Sequence, residues 1–304
     1  MDLKANKLDT ITTTVSPNTV VASEWNQLIN EQNNLITSAG LTPSSSNLTQ
    51  LKTAVTTIMP DGASHNGYFE EKNLGTWSST IDVDNFITQN GISAGTFGNL
   101  KLGNYVTIQD GTYNKTWMIA GFDVHWNIGD TTFAKHHIAM VPRTNLMSAK
   151  MNETNITTGG YAASLMHTET IPTVVTNLQK VLGTHLLEHR RLISETVANV
   201  ASGGYAGWTG ASSDWEWQSM YACLLTEPQL YGTRVCSSSR FDVGEGWQQL
   251  PVYKFVTPNK YAREWWWLRA VATSTYFCAC GYGGNASSSN ASNSIGVRPL
   301  ILIG

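Results

Sequence analysis

Apolar positions in residues 1–60 recur at helical steps. From Ser23, a candidate N-cap, Trp25, Leu28, Ile29, Leu35 and Ile36 share one face, and Gly40 can end the helix. After the turn-like Thr42-Pro43-Ser44-Ser45, the residues Leu48, Leu51, Val55, Ile58 and Met59 repeat the spacing as far as Pro60. Two short amphipathic helices without a local core need a surface to bury against: a self-association seam, a larger assembly, or the rest of the chain. Residues 61–80, DGASHNGYFEEKNLGTWSST, read as a linker.

A larger unit is expected over 81–304. IDVDNFITQNG predicts a short helix stopped by Gly91, and LKLGNYVTIQDGTYNKTWMIAGFDVHW predicts strands with a hairpin at Gln109-Asp110-Gly111. IPTVVTNLQKVLG has Pro172 in its first turn, apolar Val174, Val175, Leu178, Val181 and Leu182, and Gly183 past its end, which predicts a helix. LLEHRRLISETV is expected to continue as a second helix, and SDWEWQSMYACLLTEPQL as another, followed by short strands to the end. Helices in the middle with strands around them indicate an α+β fold rather than alternating βαβ units.

REWWWLRA, residues 263–270, reads as a strand with Trp265 and Trp267 on one face and Trp266 on the other. GVRPLILIG reads as a second strand, apolar throughout and therefore central, with Pro299 at a bulge or a non-bonding position. Between them lies VATSTYFCACGYGGNASSSNASNS, residues 271–294. Alternation places Tyr276, Cys278, Cys280 and Tyr282 on one face and Phe277, Ala279 and Gly281 on the other, so one face is expected to pack on the tryptophans and the other to look outward.

Composition narrows the function. Charged residues make up 13% of the 304 residues, about half the usual figure of roughly 25%. The net charge is -3, which offers no basic footprint for nucleic acid or an anionic membrane. MDLKANKLDTIT lacks the basic-then-apolar layout of a signal peptide, and no apolar run reaches the roughly 18 residues of a membrane span, so no membrane insertion is expected and the chain is expected to be made in a cytoplasm. Cys223, Cys236, Cys278 and Cys280 are accordingly expected as free thiols.

Enzyme motifs are sparse. His185, Glu188 and His189 match the H-x-x-E-H spelling of inverzincin metalloproteases, in which two histidines one helical turn apart hold zinc, and Glu264 could supply a third ligand. Arg190 and Arg191 would place cations beside that metal, which favours a solvated helix face. His136 and His137 are neighbours that face opposite ways in a strand and read as structural. The Cys278 and Cys280 pair lacks the further thiols of a soft-metal site. No phosphate-binding glycine loop and no G-x-S-x-G turn occurs.

From Ala270 to Gly304 the chain contains no Lys, Glu, Gln, Met or Trp. Those are the residue types that no codon ending in a pyrimidine encodes, and every residue of the stretch is reachable by randomising the first two bases of an Asn codon. That is the coding signature expected of adenine-directed hypermutation, with an ordinary low-complexity loop as the alternative. The strand Trp267-Leu268-Arg269, the stretch after it and the closing Gly296-Val297-Arg298-Pro299 resemble the C-terminal region of the variable proteins of diversity-generating retroelements, phage tail adhesins with a C-type-lectin-like fold. LKLGNYVTIQDG, LGTHLLEHRRLIS and ACLLTEPQLYG are similar to phage proteins carrying such a domain, and SEWNQLINEQNNLITSAGLTP resembles the attachment segments of tail-fibre proteins.

The resemblance implies a receptor-binding protein of the virion tail. Residues 1–60 would attach to tail or baseplate proteins or form a homotrimer, and the C-type-lectin-like domain would bind a host cell-surface protein or glycan. The implied contacts are Thr273, Thr275, Tyr276, Cys278, Cys280, Tyr282, Asn285, Ser287, Ser289, Asn290 and Asn293, with Trp267, Arg269, Gly296, Arg298 and Pro299 as framework. Glu227-Pro228-Gln229 is only part of the sugar-binding motif of calcium-dependent lectins, so neither calcium nor another cofactor is implied. The rivals are a zinc or glycan hydrolase of the tail and a purely structural tail protein.

Overall fold

The computed structural model describes residues 22–44, 46–47, 49–51, 54, 65–197, 212–237 and 248–304. Internal contacts divide the chain into two compact units, residues 1–64 and 65–304. In the first, helix α1 spans Ala22–Ser38, buries Ile29, Asn33 and Ile36, and leaves Leu28 exposed. Gly40 ends it in the left-handed conformation (φ 73°), with Leu41 N donating to Ile36 O. Gln50, Leu51 and Ala54 of the expected second helix are helical, while Leu48, Val55, Ile58 and Met59 lie outside the described residues.

The second unit is α+β and begins earlier than its sequence suggests. Asn66 exchanges two hydrogen bonds with the Phe122 backbone, and strand β1 (Asn73–Trp77) runs parallel to β2 (Tyr105–Ile108). Residues 65–80 are therefore part of this unit rather than a linker. Their Gly, Ser and Asn content resembles linker composition because β1 is an edge strand that buries little except Trp77. Helix α2 (Thr80–Gln89) follows, with a capping box between Ser79 and Asp82, and ends before Gly91.

The larger sheet has six strands. Strand β3 (Lys115–Phe122) pairs with β2 and with β4 (Ile138–Pro142), and the C-terminal strand β13 (Pro299–Ile303) inserts between β4 and β8 (Ala222–Leu224). Leu300 to Ile303 are buried, as an all-apolar central strand requires, and Pro299 is the first residue of its strand. At the β2–β3 turn, Asp110 Oδ1 accepts from the backbone N–H groups of Thr112, Tyr113 and Asn114. Helix α3 (Ile171–Leu182) buries Ile171, Val174, Leu178, Val181 and Leu182.

Two expected helices are strands. His189–Val197 forms β6 and Ser212–Met220 forms β7, paired antiparallel as a hairpin. The burial of His189, Arg191 and Ile193 has period two, and Trp215 and Trp217 alternate with polar residues, so a strand pattern was present beneath strong helix formers. Of the second of these expected helices, SDWEWQSMYACLLTEPQL, only the C-terminal end is helical, as part of α4 (Glu227–Tyr231).

A second sheet carries the C-terminal region, in the order β11 (Ala286–Asn290), β10 (Tyr276–Cys280), β9 (Trp266–Val271), β12 (Ile295–Gly296) and β5 (Ser148–Ala149). A backbone bond from Arg269 N to Leu225 O (3.0 Å) ties β9 to the residue after β8, and within residues 65–304 one continuous apolar core runs through both sheets and helices α2 and α3.

A buried histidine cluster makes this core acid-sensitive. His125, His137 and His189 are 1%, 0% and 2% exposed. The His137 ring donates from Nδ1 to Lys135 O and accepts at Nε2 from His125 N–H, so it is held neutral. Burial pushes His137 down from 6.5 to about 4, with Asp123 opposing and Arg191 and His136 reinforcing, and burial also pushes His189 down. Unfolded chains take up the proton first, so stability is complete above pH 6.5 and is lost as pH falls toward 4. His137 alone is expected to remove about 3 kcal/mol over that window, measurable as a lower urea midpoint at pH 4.5 than at pH 7.

Candidate functional site

The stretch 271–294 folds as a turn, a buried strand, a second turn and an edge strand. The first turn, Ala272–Thr275, closes with Ala272 N and Thr273 N donating to Tyr276 O, while Thr273 Oγ1 accepts from the N–H groups of Thr275 and Tyr276. Thr157 fastens it from outside: its hydroxyl donates to Thr273 O (2.9 Å) and its N–H to Ser274 O (3.1 Å). The second turn closes with Gly281 N donating to Asn285 O and Gly284 N to Gly281 O, with Gly284 at φ 82°.

Beneath the second turn lies a buried polar cluster. Arg298, 3% exposed, donates from Nε to Asn145 Oδ1 (2.8 Å), from Nη1 to Pro258 O (3.3 Å) and Asn259 Oδ1 (3.4 Å), and from Nη2 to Glu264 Oε2 (2.9 Å). Its guanidinium lies 5.1 Å over the Trp266 ring. Asn259 then holds the turn itself, donating from Nδ2 to Gly281 O (2.6 Å) and Tyr282 O (3.1 Å) and accepting from Trp266 Nε1 (2.9 Å). Asn145 adds a bond to Trp265 O, and a Cβ at Gly296 would stand 2.0 Å from the Asn145 side chain, so only glycine fits there. The Tyr282 ring stands edge-on to Trp265, with ring centroids 6.0 Å apart.

The structure divides the expected contacts into four groups. Thr273, Thr275, Tyr276, Asn290 and Asn293 gather at one end of β10, where Asn155 Nδ2 also bonds Asn290 Oδ1 (2.9 Å). Tyr282 and Asn285 stand at the other end, about 20 Å away along the strand. Tyr276 is 36% and Tyr282 62% exposed. Ser287 is half-buried on β11.

Cys278, Cys280 and Ser289 are corrections: all three are buried. Alternation sorts residues between faces without saying which face is open, and both faces of β10 are covered. Trp266 lies opposite Cys280 and Trp267 opposite Ala279 across the β9 ladder. Cys223, Cys236, Cys278 and Cys280 are thiols, and burial pushes Cys280 up to about 11. Trp267, Arg269, Gly296, Arg298 and Pro299 are all buried in the frame.

The H-x-x-E-H spelling does not form a helical pair. His185 ends a 3₁₀ turn, with Nδ1 facing the acceptor Gly304 O and Nε2 the acceptor Asp84 Oδ1, Leu186 is extended (ψ 107°), and His189 opens β6. Three intervening residues in non-helical backbone place the two Cα atoms roughly 12 Å apart, so the rings lack the one-turn spacing that would let them share an ion. Among the described residues no group of three or more His, Cys, Asp or Glu side chains is placed to hold a metal. His136 and His137 are both engaged by Asp123, and His136 stacks on Trp126.

Glu227 is fully buried, and its carboxylate accepts from the N–H groups of Val235, Cys236 and Ser237 and from the Ser237 hydroxyl. It organises the loop after α4 and is closed to a sugar or calcium ion. Asn145, Thr157, Asn259 and Glu264 were not legible as framework. Each sits in a polar segment whose only signal is a neighbouring turn residue, such as Pro258 before Asn259.

Comparison with protein families, curated proteins and solved structures finds no match for the chain.

Proposed function

We propose that residues 65–304 form a C-type-lectin-like receptor-binding domain of a phage tail-fibre or tail-tip adhesin, carried on an N-terminal segment that attaches to the tail and trimerises. The observation that carries this reading is a division of labour within 271–294. Tyr276, Tyr282, Asn285 and Asn293 point to solvent, whereas Phe277 to Cys280 are fully buried between β9 and β11. Outward side chains can therefore change without entering the core, and the turns that bear them are held by Thr157, Asn259 and Arg298 from outside the stretch. Tyr offers large contact area at low rotamer cost, and Ser, Asn and Gly adapt their hydrogen bonds, which suits a binding surface. Several copies on one tail would add avidity without new contacts.

The test is an exchange of the outward residues of 271–294 for those of a differently diversified copy, followed by adsorption to a panel of bacterial strains. A changed strain preference supports the adhesin, and unchanged adsorption leaves a structural tail protein as the better reading. The surface also predicts how binding responds to salt. Arg298 is the only Lys, Arg, Asp or Glu from 271 to 304 and it is buried, while the flanking Lys150 and Glu153 neutralise one another at 3.0 Å. Adsorption is expected to change by less than about threefold between roughly 0.05 and 0.5 M salt, because screening has little charge to act on. A steep fall would locate the contact on another face.

A further inference from the structure

Strand β11 is an open sheet edge without the devices that normally close one. Exposed edges template pairing with other chains, and proteins blunt them with charge, proline, bulges or brevity. Every other edge among the described strands carries such a device. The β1 ladder breaks between Asn73 and Thr76 around Gly75 at φ 111°, β8 has three residues and β5 two. The β6–β7 hairpin bears Arg190, Arg191 and Glu216 and breaks register at Thr196. By contrast β11, ASSSN, is uncharged, free of proline, and in unbroken register with β10 over all five residues.

The phase of its ladder fixes what the edge offers. Ala291 N donates to Thr275 O and Gly281 N to Asn285 O, so the hydrogen-bonded pairs fall at Ser287 and Ser289. Ala286, Ser288 and Asn290 consequently turn their N–H and C=O groups away from β10. Among the described residues, two bonds reach these outward groups, from Asn285 Nδ2 to Ala286 O at 3.3 Å and from Asn293 N to Asn290 O at 2.9 Å, which leaves the N–H groups of Ala286, Ser288 and Asn290 and the Ser288 C=O facing outward. All three residues are half-buried, and no strand pairs with β11 on that side among the described residues.

We propose that this edge takes an extended peptide segment of the receptor as an added β-strand. The proposal rests on the adhesin reading and assigns the receptor to the protein class rather than to glycans. Main-chain pairing supplies affinity that is independent of side-chain identity, and side chains beside the docked strand supply specificity. Such a surface keeps a baseline grip while its residues are exchanged: Ser288 can become another residue without loss of its outward N–H and C=O, and Asn290 without loss of its outward N–H. The receptor strand would run between the Tyr276 and Tyr282 ends, whose exposed rings lie at the two ends of the β10–β11 pair.

The test uses the full chain and a display library of random peptides about ten residues long. Binders are expected, and Ser288→Pro is expected to weaken them by about tenfold or more, through one lost backbone bond and a ring in the path of the added strand, while Ser288→Ala stays within about threefold. Proline at this position leaves the β10 ladder intact because the Ser288 N–H is not part of it. Independently of that variant, a selected peptide should slow hydrogen exchange at the Ala286, Ser288 and Asn290 amides of the unaltered chain. No enriched peptide, equal binding by Ser288→Pro, or unprotected amides would each overturn the proposal. If those results come while exchange of 271–294 still redirects bacterial adsorption, the adhesin stands and its ligand is a glycan. If exchange leaves adsorption unchanged, the adhesin reading itself fails.

Discussion

Arg298→Met is expected to lower stability by about 3 kcal/mol, and Tm by roughly 10 °C for a unit of this size. The methionine keeps an unbranched apolar side chain but removes the guanidinium that lies over Trp266 and that four acceptors share: Asn145 Oδ1, Pro258 O, Asn259 Oδ1 and Glu264 Oε2. Glu264 is partly exposed and can turn to water, so the loss falls mainly on the three neutral acceptors in the interior. Arg298→Lys is expected to recover little, because a single ammonium cannot reach groups that the planar fork meets in different directions. The loss should be felt at the surface as well. Asn259 joins Arg298 to Gly281 O and Tyr282 O, so amides of the 281–285 turn should exchange faster in the variant than those of β4. A Tm within 2 °C of the unaltered chain would mean that the cluster is ornamental to the fold.

The elements read correctly from sequence were those in which local chemistry and packing agree. Helix α3 has Pro172 at its start, Gly183 at its end and an apolar stripe that the core buries, and β13 is apolar on both faces because both are covered. The failures share a cause. In HRRLISETV and SDWEWQSM, residues of good helix propensity occupy a hairpin whose alternation is blurred by Arg191 being buried and Leu192 half-buried, so the period of two was overridden by composition. In the site, alternation sorted the residues of β10 between its faces but did not show that both faces are covered, which leaves Phe277 to Cys280 buried. The least legible part was the support for the turns. Thr157, Asn145 and Asn259 lie 22 to 153 positions from the groups they hold, and no periodicity connects them.

Tyr282→Ala is expected to reduce adsorption to a susceptible strain by about thirtyfold, the effect of losing a hot-spot aromatic worth about 2 kcal/mol. The ring is 62% exposed, stands edge-on to Trp265, and its backbone is fixed by Asn259, so it is presented in one orientation at little entropic cost. Its removal should leave Tm almost unchanged, since an exposed ring contributes little to the fold. Tyr276→Ala should act more weakly, because more than half of that ring is already covered by the chain itself. The two rings are about 20 Å apart, beyond the range at which neighbouring substitutions couple, so the double variant distinguishes how the receptor lies. A receptor spanning both ends of the β10–β11 pair gives a loss equal to the product of the single losses. A double variant no worse than Tyr282→Ala would confine the contact to the Asn285 end and leave the turn at 272–275 as part of the frame.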